Sequence, residues 1–435
     1  MDQGGEIPRR SFLKAAVAIG GAAALSACLG REDVSVPTGS TAWDAYPARQ
    51  HAWNAVLPRD DAGNVLAPRH RLLLFVNLDR SGPPRARDRE RVERAIRGVE
   101  TAYERSGRGL LLTLSYSPSY FRRFDAGSPA GVALPAPEPL APFEDPALDA
   151  PDAVVHLASN TAQVVLGAEQ ALRGEVDTLN GVEQPDAALT DVVSIAERRP
   201  GFVGAGLPAA EAREAADLPG EAMPEEAPML MGFKSDFAGS QPSEDRVTIQ
   251  SGPFAGGTTQ HVSKLRLDLD QWYTQDDRWQ REAKMFCPFH AENDAIVGAG
   301  ENLGQQSGVD ACEGAESAAQ STGVVGHSQK AARARDEDGT PRILRRDFNA
   351  TAEDTATLHF VSLQRRIEAF VETRTAMNGT ELAAETALGQ RTNNGILQYV
   401  RTMRRGNYLV PPRRLRALPP AQPTDATRKI RDAPT

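Results

Sequence analysis

The chain has 435 residues, of which 49 are basic and 58 acidic, so its net charge at neutral pH is −9. A chain of this length can bury a sizeable core and suggests two domains or one large double unit. The acidic balance argues against a nucleic-acid partner, because binding to a phosphate backbone relies on a basic surface.

The N-terminal segment has the layout of an export signal. Arg9 and Arg10 precede an apolar run, rich in alanine and glycine, that extends from Ala15 to Leu25, as in twin-arginine signals. The run is too short and too weakly apolar to cross a bilayer as a helix. We therefore expect residues 1–27 to be a signal peptide and the protein to act on the extracellular side of the cell membrane.

The apolar run is followed by Ser26, Ala27 and Cys28, which fits the pattern that precedes a lipid-modified cysteine. Lipidation of Cys28 would anchor the protein to the membrane, and the alternative is an ordinary cleaved signal followed by a chance cysteine. Residues 28–65 begin with a polar segment without apolar periodicity, and we expect them to form a tether.

Residues 66–218 show an alternation of strands and helices that predicts an N-terminal half. The predicted elements, in chain order, are a strand at Leu72–Leu78, a helix at Arg87–Arg105, strands at Leu110–Tyr116 and Ala153–Ala158, a helix at Ala162–Leu172 and a strand at Asp191–Ala196. The order β-α-β-β-α-β is the ferredoxin-like arrangement, an antiparallel sheet with two helices on one face.

Residues 219–415 are predicted to repeat this plan as a C-terminal half. The predicted elements are a strand at Val262–Leu269, a helix at Gln271–Met285, a polar surface excursion at Glu301–Gly323, a strand at Thr357–Leu363 and a helix at Gln364–Met377. The expected fold class is therefore α+β, with tandem ferredoxin-like halves whose antiparallel sheets pack around a central pocket suited to a planar ligand. Residues 416–435 are expected to be a disordered tail.

Two cysteines, Cys287 and Cys312, remain after the signal. In an exported protein they are candidates for a disulfide. Alternatively, Cys287 and His290 form half of a metal site, although the sequence offers no second Cys/His pair to complete it.

Two residues of the C-terminal half are candidates for chemistry. His327 stands in Gly-His-Ser-Gln-Lys, and Arg345 follows eighteen residues later in Arg-Ile-Leu-Arg-Arg. Each is unremarkable alone, because a single histidine is more often a structural residue and paired arginines usually lie on a solvated surface.

The sequence around these residues resembles the dye-decolourising peroxidases, a family of haem enzymes built from two ferredoxin-like halves. The resemblance is carried by the segments Leu111–Phe121, Asp152–Asn160, Gly232–Lys234, Gly256–Trp272 and Tyr408–Pro412. It implies haem b as cofactor, His327 as the axial iron ligand and Arg345 as the arginine on the opposite, distal side. It also implies a peroxidase that uses hydrogen peroxide to oxidise an organic electron donor.

The chain departs from the family pattern at both sides of the implied site. The family has an aspartate directly after Gly-Phe-Lys, where this chain has Ser235. If this chain has one inserted residue before Asp236 and one after it, relative to the family pattern, Asp236 is the catalytic acid. Otherwise, peroxide activation depends on Arg345 alone. The acid that orients the axial histidine in the family is replaced by amides, Asn393, Asn394 and Gln398.

These departures leave two further functions open. One is a degenerate haem-binding protein of the same fold that serves as a carrier, sensor or store. The other is a haem-free exported lipoprotein that works as a binding module. The sequence also leaves open whether the chain forms a homo-oligomer.

Overall fold

The computed structural model describes residues 36–215, 218–351 and 355–424. Arg9, Arg10 and Cys28 lie outside these ranges, so the expectations of export and lipidation concern residues that are not described. Within the described ranges, no helix combines the length and the apolar character that crossing a membrane requires.

The N-terminal half contains every strand and helix that the sequence predicts. Its elements are β1 (His70–Leu78), α1 (Ala86–Ala102), β2 (Leu111–Tyr116), α2 (Pro118–Phe121), β3 (Ala147–Leu148), β4 (Ala153–Ser159), α3 (Ala162–Arg173), β5 (Thr178–Leu179), β6 (Val182–Glu183), β7 (Val193–Phe202) and α4 (Leu207–Glu214). The predicted bounds agree to within a few residues except at β7, which continues to Phe202.

The C-terminal half has the predicted strands and a more divided helical part. Its elements are β8 (Thr258–Leu267), α5 (Arg278–Met285), α6 (Pro288–Glu292), α7 (Ala315–Thr322), α8 (His327–Ala332), β9 (Leu344–Arg345), β10 (Phe348–Ala350), β11 (Thr357–Gln364), α9 (Ile367–Asn378), α10 (Thr380–Glu385) and β12 (Val400–Val410).

The single helix predicted from Gln271 to Met285 is wrong. A wide turn at Gln271–Gln275 ends in extended backbone, and α5 begins afresh after Asp277. The Asp277 carboxylate accepts the N–H of Gln280 at 2.8 Å, which satisfies a backbone donor that a helix start leaves free and therefore favours a helix that begins there.

The long strands form one sheet in the order β7-β1-β4-β2-β12-β8-β11-β9, and β10 pairs with both β7 and β11. The two sheets predicted from the sequence are thus continuous at both edges. Tyr116 pairs with Leu409 at one junction and Phe202 with Asn349 at the other. The result is a barrel-like closed sheet, which leaves few edge strands with unpaired backbone groups.

Side chains on the two faces of this sheet enter different cores. One face, including Leu73, Val154, Val262 and Val361, fills the barrel interior from both halves. On the outer face of the N-terminal half, α1 and α3 pack directly on the strands in one large apolar cluster. Alternation along each strand explains this division, because successive side chains point to opposite faces.

The segments flanking the two halves also pack against them. Trp53 is 1% exposed although it lies in the expected tether, and its backbone N–H donates to the Glu244 carboxylate. Arg416 and Leu418, in the expected disordered tail, are buried, and Arg416 pairs with Glu100 at 2.7 Å. In the described parts of both segments, apolar and arginine side chains thus supply buried contacts with the two halves.

Candidate functional site

A cavity lies on the outer face of the C-terminal half, between the strands β8, β11 and β12 and the helices α8 and α9. The centre of a water-sized sphere can occupy about 260 Å³ of it. One water needs only about 10–15 Å³ by this measure. The space is therefore a ligand-sized pocket and not a packing defect.

The walls of the cavity are mainly apolar, with a few polar groups that converge on it, as is typical of sites for small molecules and cofactors. Six cationic side chains border it among the described residues: Lys234, Arg335, Arg342, Arg345, Arg374 and Arg405. Five of these form ion pairs with carboxylates, of which the pair between Arg345 and Asp347 is the longest at 3.9 Å. Arg335 donates to backbone carbonyls, so part of this positive charge is available to an anionic ligand.

His327 borders the cavity as the first residue of α8. The chain reaches it through Gly326, where a Cβ would lie 1.7 Å from the carbonyl oxygen of Phe286. Only glycine allows this close approach. Gln329 then accepts the Gly326 N–H at 2.7 Å and closes the first turn, so local contacts place the imidazole at the cavity wall.

The His327 ring is neutral and incompletely hydrogen-bonded. Its Nδ1 is buried and has no partner among the described residues. Burial, and secondarily the charge of Lys330, lowers the pKa of His327 to about 3. At neutral pH the ring therefore carries a free lone pair, the form in which histidine binds a metal.

Lys330 occupies the next turn of the same helix, where its side chain is buried. Its ammonium donates to the carbonyls of Met377 and Asn394 and to the Asn394 side-chain oxygen, at 2.6 to 2.9 Å. Burial lowers the pKa of Lys330 well below its usual value. Asn394, expected near the axial histidine, thus binds Lys330 instead.

Arg345 also borders the cavity, and its position is set by the loop from Ser235 to Gln241. Its guanidinium donates to the Ser235 carbonyl at 2.8 Å. Its backbone N–H donates to the Gln241 side chain at 2.9 Å. The structure therefore brings His327 and Arg345 to one cavity, and the loop holds the guanidinium in one orientation.

Asp236 lies in the same loop but does not border the cavity, whereas its neighbours Ser235 and Phe237 do. Its carboxylate accepts from the Gln241 amide at 3.2 Å and from the Ser235 hydroxyl at 3.5 Å. Asp236 is thus engaged within the loop, and its position does not support the catalytic role expected for it.

Asp347 is a cavity residue that sequence reasoning missed. It is 6% exposed, accepts the Val361 N–H at 2.9 Å and lies 3.9 Å from the Arg345 guanidinium. Burial raises the pKa of Asp347 to about 7, with Arg345 opposing and Asp236 reinforcing the shift. The sequence signal that could have found Asp347 is its position two residues after Arg345, because residues two apart in an extended chain share a face.

Cys287 and Cys312 form a disulfide. The Nδ1 of His290 lies 3.0 Å from Cys287 Sγ and 3.3 Å from Cys312 Sγ. Since metal binding by cysteine requires thiolates, the disulfide favours the cross-link over the half metal site. Ser307 and Val309, inside the bridged segment, border the cavity, so the predicted surface excursion supplies part of the site.

Comparison with protein families places residues 68–412 in a single model, described as "Family of unknown function (DUF7405)". That match covers most of the chain. A search of curated proteins finds no match.

Solved structures with a similar fold are named as dye-decolourising proteins or peroxidases. A DyP-type peroxidase from Cellulomonas bogoriensis is 19% identical, with a TM-score of 0.51 over 82% of this chain and 93% of its own. A dye-decolorizing protein from V. cholerae is 14% identical, with a TM-score of 0.51 over 82% and 96%. A Rhodococcus jostii RHA1 DypB variant in complex with heme is 13% identical, with a TM-score of 0.51 over 88% and 98%. The fold of this chain is thus similar to that of Dyp-type peroxidases.

Proposed function

This chain belongs to the DUF7405 family of unknown function, and we propose that it is a haem-dependent peroxidase that oxidises an organic donor with hydrogen peroxide. The observation that carries the proposal is the neutral imidazole of His327 at the wall of an apolar cavity that Arg345 also borders. The similarity to Dyp-type peroxidases agrees with it at the level of fold.

The residues present fit a haem. The apolar walls suit a macrocycle, and Arg335 and Arg345 offer cationic groups to its carboxylate substituents. His327 offers a neutral ring nitrogen to the iron. We propose haem b, which is held without thioether bonds, because both cysteines of the described residues are bonded to each other.

Bound haem would supply the redox chemistry of the reaction. The chain's contribution is to bind and orient. His327 would hold the haem iron, and Gly326 and Gln329 keep its ring in place. Arg345 would donate its guanidinium N–H groups to the oxygen on which negative charge develops as peroxide is cleaved.

One observation favours the second candidate, a haem-binding protein with weakened peroxidase activity. A carboxylate that accepts the second ring N–H of an axial histidine raises its basicity. Here the Nδ1 of His327 has no such partner in the described part of the chain, and a buried lysine lies one turn away. An axial ligand of low basicity suits a carrier, sensor or store better than a fast peroxidase.

The strand order supports a finer proposal for the fold. Within each half the four strands in chain order are β1, β2, β4 and β7, and β8, the β9–β10 pair, β11 and β12. In both halves the first and third strands are central and the second and fourth lie outside. We propose that the halves, residues 66–218 and 219–415, are tandem ferredoxin-like units.

We further propose that the chain is exported by the twin-arginine route and anchored outside the cell through a lipid on Cys28. Such a route carries folded proteins and would suit a chain exported with its cofactor. Changing Arg9 and Arg10 to lysine should retain the precursor in the cytoplasm, and Cys28→Ala should release mature protein from the membrane fraction. Export that survives the paired lysine change would exclude this route.

The test of haem binding is a spectroscopic titration of the purified chain. The parent should develop a Soret band with stoichiometric haem, and His327→Ala should lose it or shift it. Free imidazole added to His327→Ala should restore the band, because it can occupy the vacated position. His70→Ala is the matched control, since His70 is a buried histidine that does not border the cavity. A parent without a Soret band would favour the haem-free binding module.

The test of peroxidase function is Arg345→Leu. Haem binding should persist, and the rate of peroxide consumption should fall by a factor equivalent to about 3 kcal/mol, the usual effect of removing one preorganised donor to a developing anion. Stopped-flow measurement of the reaction with hydrogen peroxide provides the rate. A haem-loaded parent that does not react with peroxide would favour the carrier, sensor or store.

A further inference from the structure

Two carboxyl groups lie near the Arg345 side of the cavity, and their surroundings differ. The Asp236 carboxylate is engaged by the Gln241 amide and the Ser235 hydroxyl and does not border the cavity. The Asp347 carboxyl borders it. An acid–base group has to reach the proton it moves, directly or through one water, and of these two groups Asp347 meets this requirement.

The Asp347 carboxyl is held at one oxygen. Its Oδ1 accepts the backbone N–H of Val361 at 2.9 Å, which fixes the side chain against β11. For Oδ2, the nearest cationic group in the described structure is Arg345 Nη1 at 3.9 Å, beyond hydrogen-bond distance. This oxygen can therefore exchange a proton with a small molecule in the cavity.

On this geometry, and resting on the proposed peroxidase function, we propose that Asp347, and not Asp236, is the acid–base residue that moves the proton of hydrogen peroxide. In that step the Asp347 carboxylate takes a proton from one oxygen of the peroxide. It returns the proton to the other oxygen, which leaves as water when the O–O bond breaks. The carboxylate is unchanged overall; a bound haem would act as the reductant that supplies the two electrons for the cleavage and would take up the oxygen atom that remains.

The electrostatic surroundings of Asp347 suit this exchange. The pKa of Asp347 is raised to about 7, mainly by burial and also by Asp236 in the neighbouring loop, while Arg345 and Arg71 oppose the rise. The Val361 N–H on β11 also lowers it. A carboxyl that titrates near neutral pH both accepts and returns a proton easily, which is the optimum for general acid–base catalysis at that pH.

The decisive comparison is between Asp347→Asn and Asp236→Asn, each an isosteric change that removes one carboxylate. Asp347→Asn should retain haem binding and lose about 10²- to 10⁴-fold in the peroxide reaction rate, the usual contribution of a positioned acid–base group. Asp236→Asn should keep the rate near the parent value and move the acid limb of its pH profile to lower pH, because a charge that raises the pKa of Asp347 is gone.

A second readout does not depend on activity or on haem. Infrared difference spectra of the haem-free chain should show a protonated carboxyl signal that titrates near pH 7, is absent in Asp347→Asn and titrates at lower pH in Asp236→Asn. This titration in the parent and in Asp236→Asn decides the matter even if Asp347→Asn does not fold.

The outcomes separate the two levels of inference. Three results would overturn the role of Asp347 and leave haem binding intact. The first is a slow Asp236→Asn beside an Asp347→Asn that reacts at the parent rate. The others are parent-like rates in both variants and a parent whose infrared spectrum shows no carboxyl titration near neutral pH. A parent that binds no haem would instead overturn the proposed function and, with it, this role.

Discussion

The two halves of the closed sheet have the same strand order, but their outer faces are covered differently. In the N-terminal half, α1 and α3 pack directly on the strands, and Val99, Val165 and Leu157 are fully buried in one cluster. In the C-terminal half, α9 packs on the sheet at Phe370, which stacks on His261 of β8, but the cavity lies between α8 and the strands β8, β11 and β12. One strand plan thus supports a dense core on one side and a binding site on the other.

The connections between the strands also differ between the two halves. In the N-terminal half, the first two strands are joined through the single long helix α1, whereas residues 268–343 of the C-terminal half contain four short helices. One charged pair at the cavity is also longer than a comparable pair in the N-terminal half. Arg123 of the N-terminal half forms a 2.6 Å pair with Asp152, whereas Arg345 is 3.9 Å from Asp347. Regular local structure and close charge pairing are thus less complete around the candidate site than in the N-terminal half, as is common at functional sites.

The largest expected effect comes from deleting matched leucines on the two outer faces. Leu157 of β4 and Leu267 of β8 are both buried, but only Leu267 borders the cavity. Leu157→Ala should lower the free energy of unfolding by about 2–5 kcal/mol. The loss for Leu267→Ala should lie at the low end of this range, because the cavity already leaves part of the surroundings of this side chain empty. Urea unfolding measures both. Equal losses would show that the two faces are packed alike.

A smaller effect is expected from the disulfide, which cross-links the long C-terminal connection. Cys287 and Cys312 are 25 residues apart in sequence, and a bridge over such a loop typically stabilises a protein by about 2–4 kcal/mol. The variant with both cysteines changed to serine should lose this amount. As a control, a reducing agent should destabilise the parent and leave the double variant unaffected; equal sensitivity in both would contradict the assignment.

Per pH unit, the smallest effect comes from the titration of Asp347 on the cavity side. Burial raises the pKa of Asp347 from 3.8 to about 7, so the folded state binds a proton that the unfolded chain releases. Its contribution to stability is complete below pH 4 and is lost as the pH rises through 7, with a slope of about 1.4 kcal/mol for each pH unit between the unfolded and the folded pKa. In urea unfolding across this range, the parent should lose more stability than Asp347→Asn, which retains the contribution of Glu211, a carboxyl outside the cavity whose pKa burial raises to about 8. A parallel pH dependence in both would assign the effect to another group.

Much of the fold follows from local sequence patterns. The apolar runs of β1, β2 and β4 and the helical periodicity of α1 predict these elements to within a few residues. The failures lie where a local pattern has more than one outcome. The segment from Gln271 to Met285 has helical character throughout, yet Asp277 begins a new helix within it.

The candidate site was predictable only in part. His327 and Arg345 were found because neighbouring segments resemble a known family, and both border the cavity. The choice between Asp236 and Asp347 could not be made from sequence. It depends on which carboxyl faces the cavity, and that is set by packing between segments far apart in the chain.

The sequence by itself determined the order of the main strands and helices of the N-terminal half, the acidic balance and the identity of the two principal candidate residues. Only the tertiary structure decided that the sheet closes, that Asn394 binds Lys330 and that Asp347 is buried beside Arg345. The physical reason is that periodicity and capping act within a few residues. Desolvation, hydrogen-bond pairing and cavity shape depend on groups that meet only when distant segments fold together.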